Sequence, residues 1–200
     1  MQKIPTVFER EQVGKKFLAT PVVNPECQWV LDGEGVPTRK WDGTAVLRHE
    51  GQWYARRVVK EGKAMPEGWL HWSFNPEQKS GHGWEPVTDA PQFQHIREAI
   101  DYAEDNDDMS TLVDLTDGTY EAIGPAINGN HERLAECHCL RKHGAREMPV
   151  VTPRTYESIR LAVETADVEG IVFHHPDGRM AKAKRRDFGI PWPSQRRGPK

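Results

Sequence analysis

The chain has 200 residues, of which 36% are hydrophobic and 28% charged, a length that can bury a core without disulfides. Its 27 basic and 30 acidic residues leave a formal charge of −3, which excludes a polybasic, histone-like protein. Three cysteines, two of them in Cys137-His138-Cys139, exclude a disulfide framework, and no apolar run forms a signal-peptide core or reaches membrane-spanning length, so an intracellular, cytoplasmic protein with no membrane partner is expected. Seventeen Gly and fifteen Pro predict many short elements. Residues 1–39 are mixed, with Pro5, Pro21, Pro25 and Pro37 breaking any long element. Thr44–His49 and Trp53–Val59 read as a hairpin turning at Glu50-Gly51. Residues 60–90 read as irregular and carry Trp69, Trp72 and Trp84.

Behind Pro91, the spacing of Phe93, Ile96, Ile100 and Ala103 predicts a helix. Thr111–Leu115 and Thr119–Ile123 read as two strands joined at Asp117-Gly118. A helix is expected to start with Thr152 as N-cap and Pro153 at its first position, presenting Tyr156, Ile159 and Val163. Val168–His174 and Arg179–Lys184 read as strands joined by Pro176-Asp177-Gly178. Many short antiparallel strands with a few helices make an α+β fold. Charge is uneven along the chain. Residues 101–121 hold eight acids and no base, and the 101–108 run reads as the solvated end of a helix. Residues 179–200 hold eight bases against one acid, a tail able to grip a polyanion.

The informative stretch is Lys40-Trp41-Asp42-Gly43-Thr44, just before a strand. A lysine attacks only as the neutral amine, so a catalytic lysine needs burial or cationic neighbours to lower its pKa. Phosphate-transfer chemistry further asks for carboxylates to hold a metal and for Lys or Arg to meet phosphate oxygens. Arg56, Glu121, Glu169, Lys182 and Lys184 follow in order. Residues two apart in a strand share a face, so Lys182 and Lys184 can point into one cleft, close to Glu169 across the 176–178 turn. Arg57 faces the other side of its strand, and we assign Arg56 rather than Arg57 to the site.

The ordered set KxDG, a following Arg, a strand with Glu121 before Ala122-Ile123-Gly124, Glu169-Gly170-Ile171-Val172, and Lys182-Ala183-Lys184 resembles the motifs of the covalent nucleotidyltransferases, that is, ATP-dependent DNA and RNA ligases and mRNA capping enzymes. The resemblance spans residues 40–189. Finer wording resembles a small 5′-to-3′ RNA ligase group that includes the vertebrate RNA ligase and phage and microbial relatives. The matching phrases are Gly81-His82 with Gly83-Trp84-Glu85-Pro86-Val87, Ile123 through Asn130, His143-Gly144, and Gly189-Ile190-Pro191-Trp192-Pro193.

The resemblance implies a single adenylyltransferase domain at residues 1–190, antiparallel sheets lining a nucleotide cleft, and a basic tail at 191–200. It implies an ATP- and Mg²⁺-dependent enzyme, Mn²⁺ substituting, that joins 5′-phosphate and 3′-hydroxyl RNA ends. Lys40 would form a lysyl-AMP, the AMP would pass to a 5′-phosphate, and a 3′-hydroxyl would displace it. Asp42 and Gly43, with Arg56, would contact the nucleotide ribose and the substrate side, and Glu121 would hold the ribose. Glu169, and with it Glu121, would bind metal, and Lys182 and Lys184 would neutralise the α-phosphate. Arg185, Arg186, Arg196 and Arg197 would contact RNA phosphates. A phage-encoded member would act in host cytoplasm.

Larger relatives carry an OB-fold. The twelve residues after Phe188 cannot make one, and the basic tail stands as a partial substitute. Trp41, Trp69, Trp84 and the region of His143 are the candidates for stacking on adenine. His131, Cys137, His138, Cys139 and His143 also suggest zinc, but C-x-C lacks the usual knuckle spacing, and a loop thiol pair is the preferred reading. The alternatives are a DNA nick ligase or capping-type guanylyltransferase, and a non-catalytic nucleotide- or RNA-binding module, which would not need the nucleophile.

Overall fold

The computed structural model describes residues 4–63, 67–76, 79–105, 115–150 and 152–193, with the backbone alone at 71 and 72. In chain order the elements are β1 (Phe8–Val13), β2 (Lys16–Val23), α1 (Gln28–Leu31), β3 (Val36–Lys40), β4 (Thr44–His49), β5 (Gln52–Lys60), β6 (Leu70–Asn75), β7 (Ser80–Pro86), α2 (Gln94–Asp105), β8 (Gly118–Ile123), β9 (Cys139–Lys142), α3 (Tyr156–Thr165), β10 (Gly170–His174) and β11 (Met180–Lys184). Sheets are antiparallel and helices few, so the α+β class holds. The chain divides into two compact units, one of residues 42–143 and one of residues 3–41 with 144–200.

In the second of these, β10 is the middle strand between β11 and β3. Strand alternation sets its two faces. Ala181 and Ala183 are buried and pair with Phe173 and Ile171 on the inner face. Against that face pack Ile159 and Val163 of α3, with Val7, Phe8, Trp29 and Val30. Burial of Ile159 and Val163 is complete, and each contributes roughly 1.5–3 kcal/mol. The outer face carries Thr38 and Lys40, Gly170 and Val172, and Lys182 and Lys184.

The other unit is a six-stranded sheet in the order β6-β7-β5-β4-β8-β9. The face of α2 bearing Ile96, Ala99 and Ile100 packs with Val46, Ala55, Tyr120, Ala122 and Leu140.

Three expectations need correction. Residues 60–90 are not irregular, since they hold β6 and β7. Gly81 and Gly83 lie inside β7, where the cross-strand ladder to β5 supplies order that propensity does not. The N-terminal prolines do not prevent a hairpin: β1 and β2 pair in register from Arg10↔Ala19 to Val13↔Lys16, and Pro21 falls where the ladder shifts, so its missing N–H costs no bond. The last helix begins at Tyr156, capped by Thr155 with Ser158, not at Thr152. Arg154 explains the delay. It is buried and donates to the carbonyls of Val30, Glu34 and Gly35 behind α1, which fixes the chain before the helix can start. Of the expected 111–123 hairpin, the strand at Gly118–Ile123 forms and pairs with β4 and β9. Residues 106–114 of its other half, and of the acidic run, lie outside the described residues.

Candidate active site

Lys40 is the last residue of β3. The register sets it directly opposite Gly170, which on its other side faces Lys184. Two lysines therefore flank a position with no side chain. Nothing larger fits, because a Cβ on Gly170 would lie 2.4 Å from the Ala183 carbonyl oxygen. The Lys40 ammonium is ion-paired with the carboxylate of Glu169, the residue before β10. It also donates to the Trp41 carbonyl at 3.4 Å. Glu169 is buried at 4% exposure, so its charge needs cations, and Arg186 approaches it at 3.9 Å. Lys184 is half-buried, and burial pushes its pKa below the ordinary lysine value, helped by Arg186 and Lys40 and opposed by Asp187 and Glu169. Lys182 shares the outer face with Lys184. Glu169, Lys182 and Lys184 thus lie on one hairpin as expected, and β3 adds Lys40.

In the 42–143 unit, the Gly43 N–H donates to Glu121 Oε1 at 3.0 Å, and Glu121 Oε2 pairs with His143 Nε2 at 2.8 Å. A Cβ on Gly43 would lie 2.0 Å from the Ala122 carbonyl oxygen, so the approach of this turn to β8 requires glycine. Asp42 is buried and held on both oxygens: Asn128 Nδ2 donates to Oδ1 at 2.7 Å, and His131 Nδ1 lies 2.6 Å from Oδ2. Its backbone N–H donates to Glu132. Arg56 and Arg57 both line a cleft with Thr44, Phe93, His95 and Asn128; Arg56 is half-buried, while Arg57 is exposed and pairs with Glu85 at 2.9 Å.

The basic segment divides. Arg185 is buried, not turned to RNA: it donates to the carbonyls of Val163, Glu164 and Pro191 and pairs with Asp167, completing the C-terminal end of α3. Arg186 is exposed. Arg196 and Arg197 lie outside the described residues. Trp84 and Trp41 are buried, Trp41 beneath the guanidinium of Arg39 at 4.0 Å. Cys137 and Cys139 are free thiols. The histidines near them go to separate partners: His131 to Asp42, His143 to Glu121, and His138 to Glu98.

Sequence reasoning missed Asn128, Glu132 and the pairing of His131 with Asp42. Asn128 belongs to the 123–130 phrase that carried the resemblance, which was the available signal. It also missed His95 and Glu98, which join His138, a residue that the zinc reading names with other partners. Both imidazoles sit 3.0 Å from Glu98 Oε2, and their rings stack at 4.8 Å. The His138 Nε2 accepts the Ala126 N–H at 3.2 Å, so its Nδ1 carries the hydrogen and donates to Glu98. That hydrogen takes the nitrogen a metal would need, and the trio is a hydrogen-bonded clamp between α2 and the segment before β9.

Residues 94–197, more than half of the chain, match the RNA ligase 1 family. The chain belongs to that family. The RNA ligase 1 of Danio rerio is 27% identical over 221 aligned residues, covering 88% of this chain and 68% of that protein. The RNA ligase 1 of Mus musculus is likewise 27% identical over 222, with the same coverage. That of Pongo abelii is 35% identical over 89 residues, 41% of this chain. The RNA ligase 1 family match takes in Glu121, Glu169, Lys182 and Lys184, and it starts after Lys40, Asp42, Gly43 and Arg56.

Proposed function

We propose that this chain is an ATP-dependent RNA ligase that joins 5′-phosphate and 3′-hydroxyl RNA ends through a lysyl-AMP on Lys40 and an AMP-capped RNA. The observation that carries the reading is Lys40 set across Gly170 from Lys184 and beside the buried Glu169, in a chain of the RNA ligase 1 family. The reading includes a nucleotidyltransferase fold across residues 1–190 with a basic tail after it. In the first step Lys40 gives up a proton to solvent, and the neutral amine attacks the α-phosphorus of ATP. The N–P bond forms as the bond to pyrophosphate breaks, and the nitrogen releases a second proton to solvent. Lys182 and Lys184 meet the charge that develops on the α-phosphate oxygens. A 5′-phosphate oxygen then displaces Lys40 from the AMP. Last, the 3′-hydroxyl attacks the 5′-phosphorus and AMP leaves.

Glu169 is a buried carboxylate oxygen donor of the kind a hard divalent cation takes. It would hold Mg²⁺, or Mn²⁺ in its place, once the Lys40 amine is neutral and no longer pairs with it, and the ion would supply charge neutralisation at the phosphates. Glu121 spends both oxygens on Gly43 and His143, which supports an orienting role toward the nucleotide rather than a metal role. Asp42 and Arg56 serve the nucleotide and the RNA end.

The test is incubation with α-labelled ATP, GTP or NAD⁺ and a divalent cation, followed by denaturing electrophoresis. Label on the protein from ATP alone supports the reading. Label from GTP turns the assignment to a capping-type enzyme. Equal joining of all-DNA ends turns it to a DNA ligase, and no label with retained RNA binding leaves a binding module.

A further inference from the structure

Asp187 is the one acid among the eight bases of residues 179–200, and none of the steps above uses it. It belongs to the same unit as Lys40, Glu169 and Lys184, and it is buried, at 4% exposure. It sits in the short helical turn Arg185–Phe188 that follows β11. Its two oxygens hold Lys184 at both ends. Oδ2 accepts the Lys184 backbone N–H at 3.2 Å, and Oδ1 lies 3.8 Å from the Lys184 ammonium. Arg10 of β1 reaches the same Oδ1 at 3.6 Å. A buried carboxylate is costly without cations, and here two of them balance it.

Lys184 needs such a hold. It ends β11 on the outer face, across Gly170 from Lys40. A lysine stem has four rotatable torsions, and ordering it costs entropy. Burial works against its ammonium, and Asp187 is the strongest influence that favours the charge. At 3.8 Å the pair is longer than a hydrogen bond, so it orients the ammonium without spending its N–H groups. Lys40 differs, since its ammonium donates directly to Glu169.

We infer that Asp187 is the positioning residue for Lys184, fixing its stem and ammonium on the outer face where the α-phosphate of ATP is to be met. The inference rests on the RNA ligase reading above. Asp187 touches no reacting atom and acts through Lys184. The flexible cation is ordered before ATP arrives, so its attraction is fully available as charge develops on the phosphate oxygens. Both Asp187 oxygens are engaged by the chain's own N–H and cations, the pattern of an orienting carboxylate rather than of a metal ligand.

The experiment is single-turnover labelling with ATP over a range of ATP concentrations. Asp187→Asn keeps an oxygen for the Lys184 N–H and loses only the charge that holds the ammonium, so the turn persists. Its rate at saturating ATP should fall about tenfold, with the half-saturating ATP concentration within about threefold of wild type. Lys184→Met slows labelling by itself, and adding Asp187→Asn to it should cost less than about twofold more, because the two residues act as one. Arg10→Met removes the other cation and leaves the Asp187–Lys184 pair, so it should label within about threefold of wild type. Thermal melts of the four variants report that they fold. Wild-type labelling by Asp187→Asn overturns the inference. So does the same tenfold loss repeated on the Lys184→Met background, or a loss in Arg10→Met as large as in Asp187→Asn, since either makes Asp187 an anchor of the fold alone. A wild type that takes no label is a distinct result: the RNA ligase reading itself fails, and the inference falls with it.

Discussion

Lys40 carries the chemistry proposed here, and its surroundings dictate how it will respond to substitution. Lys40→Ala removes the amine. Lys40→Arg keeps the positive charge but holds a guanidinium that does not become neutral near pH 7. Both should give no lysyl-AMP on a denaturing gel, and an adduct on either variant would sink the nucleophile assignment. Lys184 gives a prediction about stability. Burial lowers its pKa, so the unfolded chain binds more protons than the folded chain between the folded-state value and the ordinary value of 10.5. Stability from this group therefore rises with pH through that window and is lost as pH falls through the folded-state value. Lys184→Met removes the buried charge. It should melt above wild type at pH 7, and the difference should shrink as pH approaches 10.5; a difference that does not depend on pH would point to packing alone.

β10 is the element on which the outer face depends. It is the middle strand of its sheet, and Gly170 is where β3 and β11 both meet it beside their lysines. Gly170→Ala puts a methyl 2.4 Å from the Ala183 backbone oxygen, and backbone yields less readily than a side chain. The expected cost is about 1–3 kcal/mol by denaturant unfolding, together with slower lysyl-AMP formation as the register shifts. An unaltered midpoint would mean β11 moves away freely. The helices tell the same story at their ends. α3 starts late because Arg154 is committed to carbonyls behind α1, and it finishes on Arg185, whose guanidinium takes the Val163 and Glu164 carbonyls.

For the whole molecule, the formal charge of −3 conceals an excess of bases after residue 178. Arg185 has left that set for the protein interior, while Arg186 is exposed. Truncation after Trp192 removes Arg196, Arg197 and Lys200. RNA binding should weaken, and the slope of log affinity against log salt should flatten by about two to three counterions if all three contact phosphate. Lysyl-AMP formation should persist, because Lys40, Glu169, Lys182 and Lys184 lie upstream. Filter binding across a salt series measures the first and labelled ATP the second, and an unchanged slope would make the tail solvated charge only. Among the described residues no helix is long and apolar enough to cross a membrane.

Local chemistry was legible without coordinates. The turn at Pro176-Asp177-Gly178 and the alternation of Ala and Lys in β11 sufficed to bring Glu169, Lys182 and Lys184 together, because a hairpin is a short-range object with a two-residue period. The α2 periodicity was equally local. What only the tertiary structure decided was pairing across long stretches of chain. Glu169 lies 129 residues beyond Lys40, and His131 lies 89 beyond Asp42. No local propensity encodes which strand edge β3 will join or which carboxylate an imidazole will find. The same holds for Arg185, which looks like any surface arginine in a basic run until α3 presents its last carbonyls. Those choices come from whole sheets and helices burying their apolar faces, and the polar partners follow where that packing leaves them.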